Sequence, residues 1–428
     1  MASNSDPIAP QTWVAIDVAK GTNVALIEQL NGQQLRWRFT HCREDYDRLV
    51  EWLRRAPAPC RIALEPTADY HRTLAYRLVS EGFDVVFASS VAGARLREAA
   101  YNSWDKNDPK DAQVILRLLK LGMTQLYSDP VLAGVHDLQE LSKTYQHVAR
   151  ARTRLQHILV THYLTLYFPE FERFWTTQRN EWFIRFLIRF PTPASIQALD
   201  FESFRETVSA LMGRRVHKEA KIREIYALAA RSIALPIAID SPAIATFRLQ
   251  LERYLQICQA RQQLETVAEA LLAERSDYQQ LRSVPGIGPI IALVILAEGG
   301  DLRRFAHHRQ FLKFCGLDLA KSQSGASRSR ERLSKRGNAR LRYALWQAAM
   351  SAVRMRENAF RDKFRRYTAT APEDPDLKRK ARTAVTAKMA RVVHALVKTN
   401  NLYQHRFELD LPSGSTPLRR AVEAFGAS

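Results

Sequence analysis

Three short apolar runs come first in the chain: WVAIDVAK from Trp13, NVALIEQL from Asn23 and QLRWRF from Gln34. They alternate as half-buried β-strands do, and the turn-like NGQQ ties the second to the third. A helix follows near REDYDRLVEWLRR, then a strand RIALEP, a helix near YHRTLAYRLVSEG, a strand DVVFAS and a long helix in DPKDAQVILRLLK. Three strands in a meander followed by helix, strand, helix, strand, helix is the element order of an RNase H-like α/β fold.

Acids stand at telling places in that frame. Asp17 lies inside the first strand, where an unpaired carboxylate is costly to bury. Glu65 ends the fourth strand, and Asp108 and Asp111 open the long helix, three residues apart and so on one face. Carboxylates at the carboxyl ends of strands face the crevice where α/β sheets hold ligands. Hard oxygen donors converging there are what Mg²⁺ requires, and a pair of such ions can steady both oxygens of a phosphodiester displacement. Asp108 before Pro109 also fits a helix N-cap with Asp111 at the third position. Asp69 and Asp105 are rival ligands that spacing does not exclude.

The rest of the chain is helical and basic. Of 428 residues 46% are hydrophobic, enough for true cores, and the net charge is +20 with a pI near 10.0. Such a surplus attracts phosphate backbones and makes binding sensitive to salt. No apolar run approaches the roughly 20 residues of a membrane span. The start of the chain has no export signal, and Cys42, Cys60, Cys258 and Cys315 stand apart, as expected of reduced thiols in the cytoplasm. From Arg248 apolar residues keep near-heptad spacing, interrupted by Arg261 and Glu265, which suits a short coiled coil or a core helix. Trp13, Trp104 and Trp175 are candidate stacking platforms, with core packing the plainer assignment for each.

Towards the C-terminus, LRSVPGIGPIIALVILAEGG joins two apolar helices through PGIGP. Gly286 and Gly288 allow a tight turn and close backbone approach, and Pro289 starts the next helix with its amides free, the character of a phosphate-gripping helix-hairpin-helix. KSQSGASRSRERLSKRGNARLR follows as a flexible segment rich in Ser and Arg. Arg328, Arg330, Lys335, Arg336, Asn338 and Arg340 are its candidate nucleic-acid contacts. Ser324 is one of several hydroxyls there, with Ser322, Ser327 and Ser329, that could attack phosphorus if charge were neutralised nearby.

Asp17 in AIDVAK, Glu65 in LEPTADY, and Asp108 and Asp111 in KNDPKDA resemble the DEDD tetrad of the insertion-sequence 110/1111 class of transposases. VPGIGPIIALVILAE, FLKFCGLDL, QSGASRSR and LSKRGNARLRYAL resemble that family's C-terminal domain, and QHVARARTRLQHIL more loosely its Arg-rich helix. The resemblance implies a RuvC-like (RNase H-like) DEDD domain over 11–125 and a helical, coiled-coil linker region over 126–276. It implies a helical C-terminal transposase domain over 277–401, with the helix-hairpin-helix and a catalytic serine, and a tail over 402–428. Residues 174–241 read as an insertion. A member of this family recombines donor and target DNA under the direction of a structured noncoding RNA that pairs with both. The resemblance assigns Asp17, Glu65, Asp108 and Asp111 as ligands of Mg²⁺, two ions per active site, and Ser324 as the nucleophile. It implies a homotetramer, a dimer of dimers, in which each active site joins the RuvC-like domain of one copy to the serine domain of another. A protein-directed DNA invertase or Holliday-junction nuclease that needs no RNA carries the same motifs. A binding protein without catalysis would have no use for clustered acids that repel phosphate.

Overall fold

The computed structural model describes residues 12–56, 59–101, 108–175, 181–213, 218–320, 323–324, 327–328 and 332–404. They form two compact units, Met1–His136 and Asp137–Ser428.

The first unit is a six-stranded mixed sheet with helices on both faces. Its elements are β1 (Thr12–Asp17), β2 (Thr22–Glu28), β3 (Gln34–Thr40), α1 (Arg43–Arg54), β4 (Cys60–Glu65), α2 (His71–Ser80), β5 (Asp84–Ala88), α3 (Ser90–Tyr101), α4 (Asp108–Lys120) and β6 (Thr124–Leu126). The strand order is β3-β2-β1-β4-β5-β6. β1, β2 and β3 pair antiparallel, β1 with β4 and β4 with β5 parallel, and β6 closes the edge antiparallel to β5. Side chains alternate between two cores, as the period of a strand requires. Val14, Ile16, Ile62 and Leu64 meet Leu49, Leu53, Leu74 and Leu78 of α1 and α2. On the opposite face Ala15, Ala63 and Val86 meet Ala112, Ile115 and Leu119 of α4. Small residues on that second face let α4 lie close to the sheet. The helix α3 and the strand β6 are additions to the expected element order. β6 is only Thr-Gln-Leu, too short for any alternation to show.

Among the described residues the second unit is helical, with four very short strands. It contains α5 (His136–Ile158), which runs through a π-helical stretch, Leu159–Leu164, into α6 (Thr165–Tyr167), and then α7 (Glu181–Arg189), α8 (Pro193–Gln197), α9 (Phe201–Met212), α10 (Lys218–Ala229) and α11 (Pro242–Leu272). α12 (Ser276–Ser283), α13 (Pro289–Gly299), α14 (His308–Cys315), strands β7 (Leu319–Ala320), β8 (Gln323–Ser324), β9 (Ser327–Arg328) and β10 (Arg332–Leu333), and α15 (Ala339–Arg354), α16 (Ala359–Thr368) and α17 (Pro375–Thr399) complete it. Among the described residues no helix is long and apolar enough to cross a membrane.

Two hydrophobic cores share this unit, and α5 and α11 belong to both. The first core is rich in aromatic rings, including Phe168, Phe171, Phe183, Phe186, Phe190, Phe204 and Phe247. It takes up most of the described part of 174–241, so that segment is a folded helical body with a buried centre. The second core holds α12 to α17. α11 buries Ile244, Phe247, Leu251 and Tyr254 in the aromatic core and Ala268 and Leu272 in the other. α5 runs the opposite way, with Leu138 in the second core and Leu155 in the first. Between the cores Arg261 and Glu265 continue the three-four spacing of the α11 seam. Their charges are met in place: Tyr145 donates to Glu265 at 2.9 Å, and the Arg261 guanidinium donates to Glu265 and to the Tyr145 hydroxyl, both at 3.0 Å. The interruption in the heptad pattern is thus a satisfied polar layer between two helices of one chain.

Candidate active site and nucleic-acid interface

Asp17 and Glu65 end adjacent parallel strands and are partners in register. Parallel register puts both side chains on one side of the sheet, and their odd-numbered neighbours Ala15 and Ala63 identify it as the face covered by α4. Both are half-buried, while Ile16, Val18 and Leu64 beside them are buried. Two carboxylates in register on neighbouring strands make a site that attracts a cation. Asp111 stands in the first turn of α4, 3% exposed, and forms an ion pair with Arg97 of α3. Arg97 was not expected from the sequence; nothing in its local pattern shows a partner 14 residues on.

The backbone of Asp108 begins α4, and its side chain lies outside the described residues, as does all of Asp105. Asp69 lies in the exposed loop after Glu65, where Ala68 adopts a left-handed φ of 45°, a strained state for a residue with a Cβ. Among the described residues no three His, Cys, Asp or Glu side chains stand ready to hold a metal together. The donor chemistry nonetheless fits Mg²⁺: the acids are oxygen donors only, and Asp17 and Glu65 present a paired negative site with a third carboxylate on the helix over the same face.

The expected flexible Ser-Arg segment contains two short antiparallel ladders. β7 pairs with β10, Leu319 opposite Leu333, and β8 pairs with β9, Gln323 opposite Arg328 and Ser324 opposite Ser327. Pairing in two-residue strands leaves no alternation to read. Gly325 and Ala326 separate the paired serines in sequence. The side chains of Ser324 and Arg328 and all of Ser322, Ser329 and Arg330 lie outside the described residues.

Beyond β10 the basic residues divide. Lys335 and Arg336 are exposed. Asn338 caps α15, its side chain accepting from the Leu341 amide at 3.0 Å and donating to Glu298 at 2.7 Å. Arg340 pairs with the same Glu298 at 3.1 Å and donates to Ser142 at 3.0 Å. These two tie α15 to α13 and α5. Asn338→Ala is expected to lower stability by about 1–2 kcal/mol, from a lost cap and one fewer partner for a mostly buried acid, read by urea unfolding. An unmoved midpoint would refute the anchoring role.

The two glycines of PGIGP also divide. Gly286 has φ +88°, and a Cβ there would lie 2.2 Å from the Ala348 carbonyl oxygen on α15. Gly288 is the N-cap of α13 with open space around it. A further cationic group lies between α16 and α17. Burial and the charges of Lys363 and Arg366 hold the Lys388 ammonium below its ordinary range. The buried thiols are passive: burial pushes Cys60 up to about 11 and Cys315 to about 12. Trp13 packs against the α4-side core, and Trp175 packs edge-on to Phe183 and Tyr254. Trp104 lies outside the described residues. Two rings the sequence reading passed over, Tyr343 and Trp346, are stacked and exposed.

Residues 14–169 match a family model of IS110-type DEDD proteins described as transposase, and residues 278–365 match the transposase IS116/IS110/IS902 family. Residues 170–277 fall between the two matches. A probable family 20 transposase of Pseudomonas aeruginosa is 31% identical over 170 residues, covering 40% of this chain and 49% of that protein. The transposase for insertion sequence element IS1111A of Coxiella burnetii is 32% identical over 143 residues, 33% of this chain and 38% of that protein. The insertion element IS116 uncharacterized 44.8 kDa protein of Streptomyces clavuligerus is 24% identical over 365 residues, 82% of this chain and 87% of that one. The chain therefore spans less than half the length of the first two of these relatives.

Proposed function

We infer from the two matched segments that this chain is a DNA transposase serving the mobility of an insertion sequence, cutting and rejoining phosphodiester bonds with clustered carboxylates and a serine. The observation that carries this reading is the register of Asp17 with Glu65 under the helix that bears Asp111. The strand order supports an RNase H-like domain, whose crevice at the carboxyl ends of β1 and β4 is where such a sheet does chemistry. Mg²⁺ there, held by Asp17, Glu65, Asp108 and Asp111, would supply neutralising charge at a bound phosphate. Arg97 pairs with Asp111 and orients it, and Asp17 and Glu65 share one side of the sheet in register.

Ser324 is the nucleophile of the proposal. Its Oγ bonds to phosphorus, one phosphoester bond to deoxyribose breaks, and the departing oxygen takes up a proton as the serine gives one up. The hydroxyl of a second strand reverses the exchange and rejoins the DNA. Lys335 and Arg336 hold phosphates without reading bases, and the turn before α13 offers free amides at Gly288 for the same use. Sequence choice then belongs to a structured noncoding RNA paired with donor and target DNA, a division of labour that suits a surplus charge of +20. The acting form is a homotetramer, on the strength of the family resemblance.

The test is a covalent adduct assay on donor DNA in Mg²⁺, with and without RNase. Wild-type protein is expected to form a protein–DNA adduct that Ser324→Ala abolishes and RNase treatment prevents. An adduct mapping to Ser322 or Ser327 would move the nucleophile. Full activity after RNase would replace the guide RNA with protein-directed recombination.

A further inference from the structure

Helix α15 buries Leu341, Ala344, Leu345, Ala348, Ala349 and Ala352 against the second core of its unit. Its flank carries two large rings that the core does not take: Tyr343 is 55% exposed and Trp346 41%. They stand one turn apart, ring centroids 5.9 Å from each other and planes within 17°. A Trp and a Tyr side by side at the surface leave in water a large apolar area that is ordinarily buried.

The rings border an open recess. They wall a cavity of about 320 Å³ whose lining includes Leu317, Leu333, Arg342 and Thr386. Arg342 is fixed in place, its guanidinium donating to the carbonyls of Cys315 at 2.9 Å and Lys335 at 3.3 Å. The second of these bonds fastens to the wall the loop that bears the exposed Lys335 and Arg336. Thr383 also lines the cavity and is half-buried, and its hydroxyl already donates to the Arg379 carbonyl at 3.1 Å, so to a ligand it can only accept.

We propose that this cavity takes one unstacked base from a single-stranded stretch of DNA, laid against Trp346 and Tyr343, with the flanking phosphates on Lys335 and Arg336. The volume is at the small end of ligand sites and suits one heterocycle. Paired bases keep their faces within the duplex, so only an unpaired base can offer one to the rings. The flat aromatic wall, the accepting hydroxyl and the cationic rim together match a base with its backbone, whereas an apolar peptide would leave the cations without partners. The choice of DNA rests on the transposase reading above, because exchanging strands leaves bases unpaired.

The experiment uses the full chain with a single-stranded DNA oligomer carrying 2-aminopurine, an RNA of the same sequence and the corresponding DNA duplex. Trp346→Ala and Tyr343→Ala are each expected to weaken single-stranded DNA binding by roughly 5- to 150-fold and to spare the duplex. Trp346→Phe should retain most of the affinity. The quenching of tryptophan emission on binding should be smaller in Trp346→Phe than in wild type, and unfolding midpoints should stay put because both rings are exposed. Single-stranded binding that survives both alanine variants overturns the proposal. So does equal loss on single strand and duplex, which would make the rings merely structural, and so does a loss confined to RNA. A wild-type chain that binds no DNA of any kind would sink the transposase reading as well, while intact binding by the variants sinks only the cavity.

Discussion

Asp17→Asn and Glu65→Gln are each expected to slow DNA strand cleavage by at least about 100- to 1,000-fold, the scale of losing one group that stabilises charge in a transition state. Nucleic-acid binding should persist, since the exposed cations Lys335 and Arg336 belong to the other unit. A second readout is independent of activity. A cation that binds only the folded wild type adds about 2.7 kcal/mol at 100 times its Kd, and the Asn variant should forgo most of that gain. The measurement is a pair of thermal unfolding curves for each protein, with and without MgCl₂. Equal Mg²⁺ shifts in wild type and Asp17→Asn, or cleavage at the wild-type rate, would remove the carboxylates from the chemistry.

Strands β1 to β5 were legible because β1, β2, β4 and β5 are mainly buried runs and β3 alternates, each bounded by turns, and a local pattern suffices to see that. Asp17 and Glu65 were visible as acids at strand positions, but their common register is a relation between segments 48 residues apart and emerges only in the folded sheet. The same limit explains the basic segment. Asn338 and Arg340 look like free polar groups in a cationic stretch, yet both are occupied by Glu298, about forty residues away. The aromatic body of the second unit was hidden differently. Phe183, Phe186 and Phe190 lie at helical spacings that any buried helix would show, so the pattern gives a helix without naming its neighbour, here Phe204 of α9. Arg261 and Glu265 looked like flaws in a seam because their partner, Tyr145, comes from a distant helix.

Gly286→Ala is expected to destabilise the second unit by about 2–5 kcal/mol, where Gly288→Ala costs under about 1 kcal/mol. The two glycines share one turn and look interchangeable in PGIGP, but the backbone separates them. At Gly286 a φ of +88° costs a side chain about 1–2 kcal/mol. The added Cβ would also meet two α15 backbone atoms, the Ala348 carbonyl oxygen at 2.2 Å and the Ala352 nitrogen at 2.8 Å. Backbone in a packed helix cannot step aside as a flexible side chain can, so overpacking adds about 1–3 kcal/mol. Gly288 has an ordinary φ of −85° and nothing within 4 Å of where its Cβ would stand, so Ala there loses only the preference of Gly for a helix N-cap. The open space at Gly288 is where a DNA phosphate would approach the first amides of α13, and a methyl group there should weaken binding while the fold holds. Urea unfolding and DNA titration of both variants separate the roles. Wild-type stability in Gly286→Ala would contradict the close approach to α15, and undiminished DNA affinity in Gly288→Ala would leave the turn a connection between helices without a phosphate to grip.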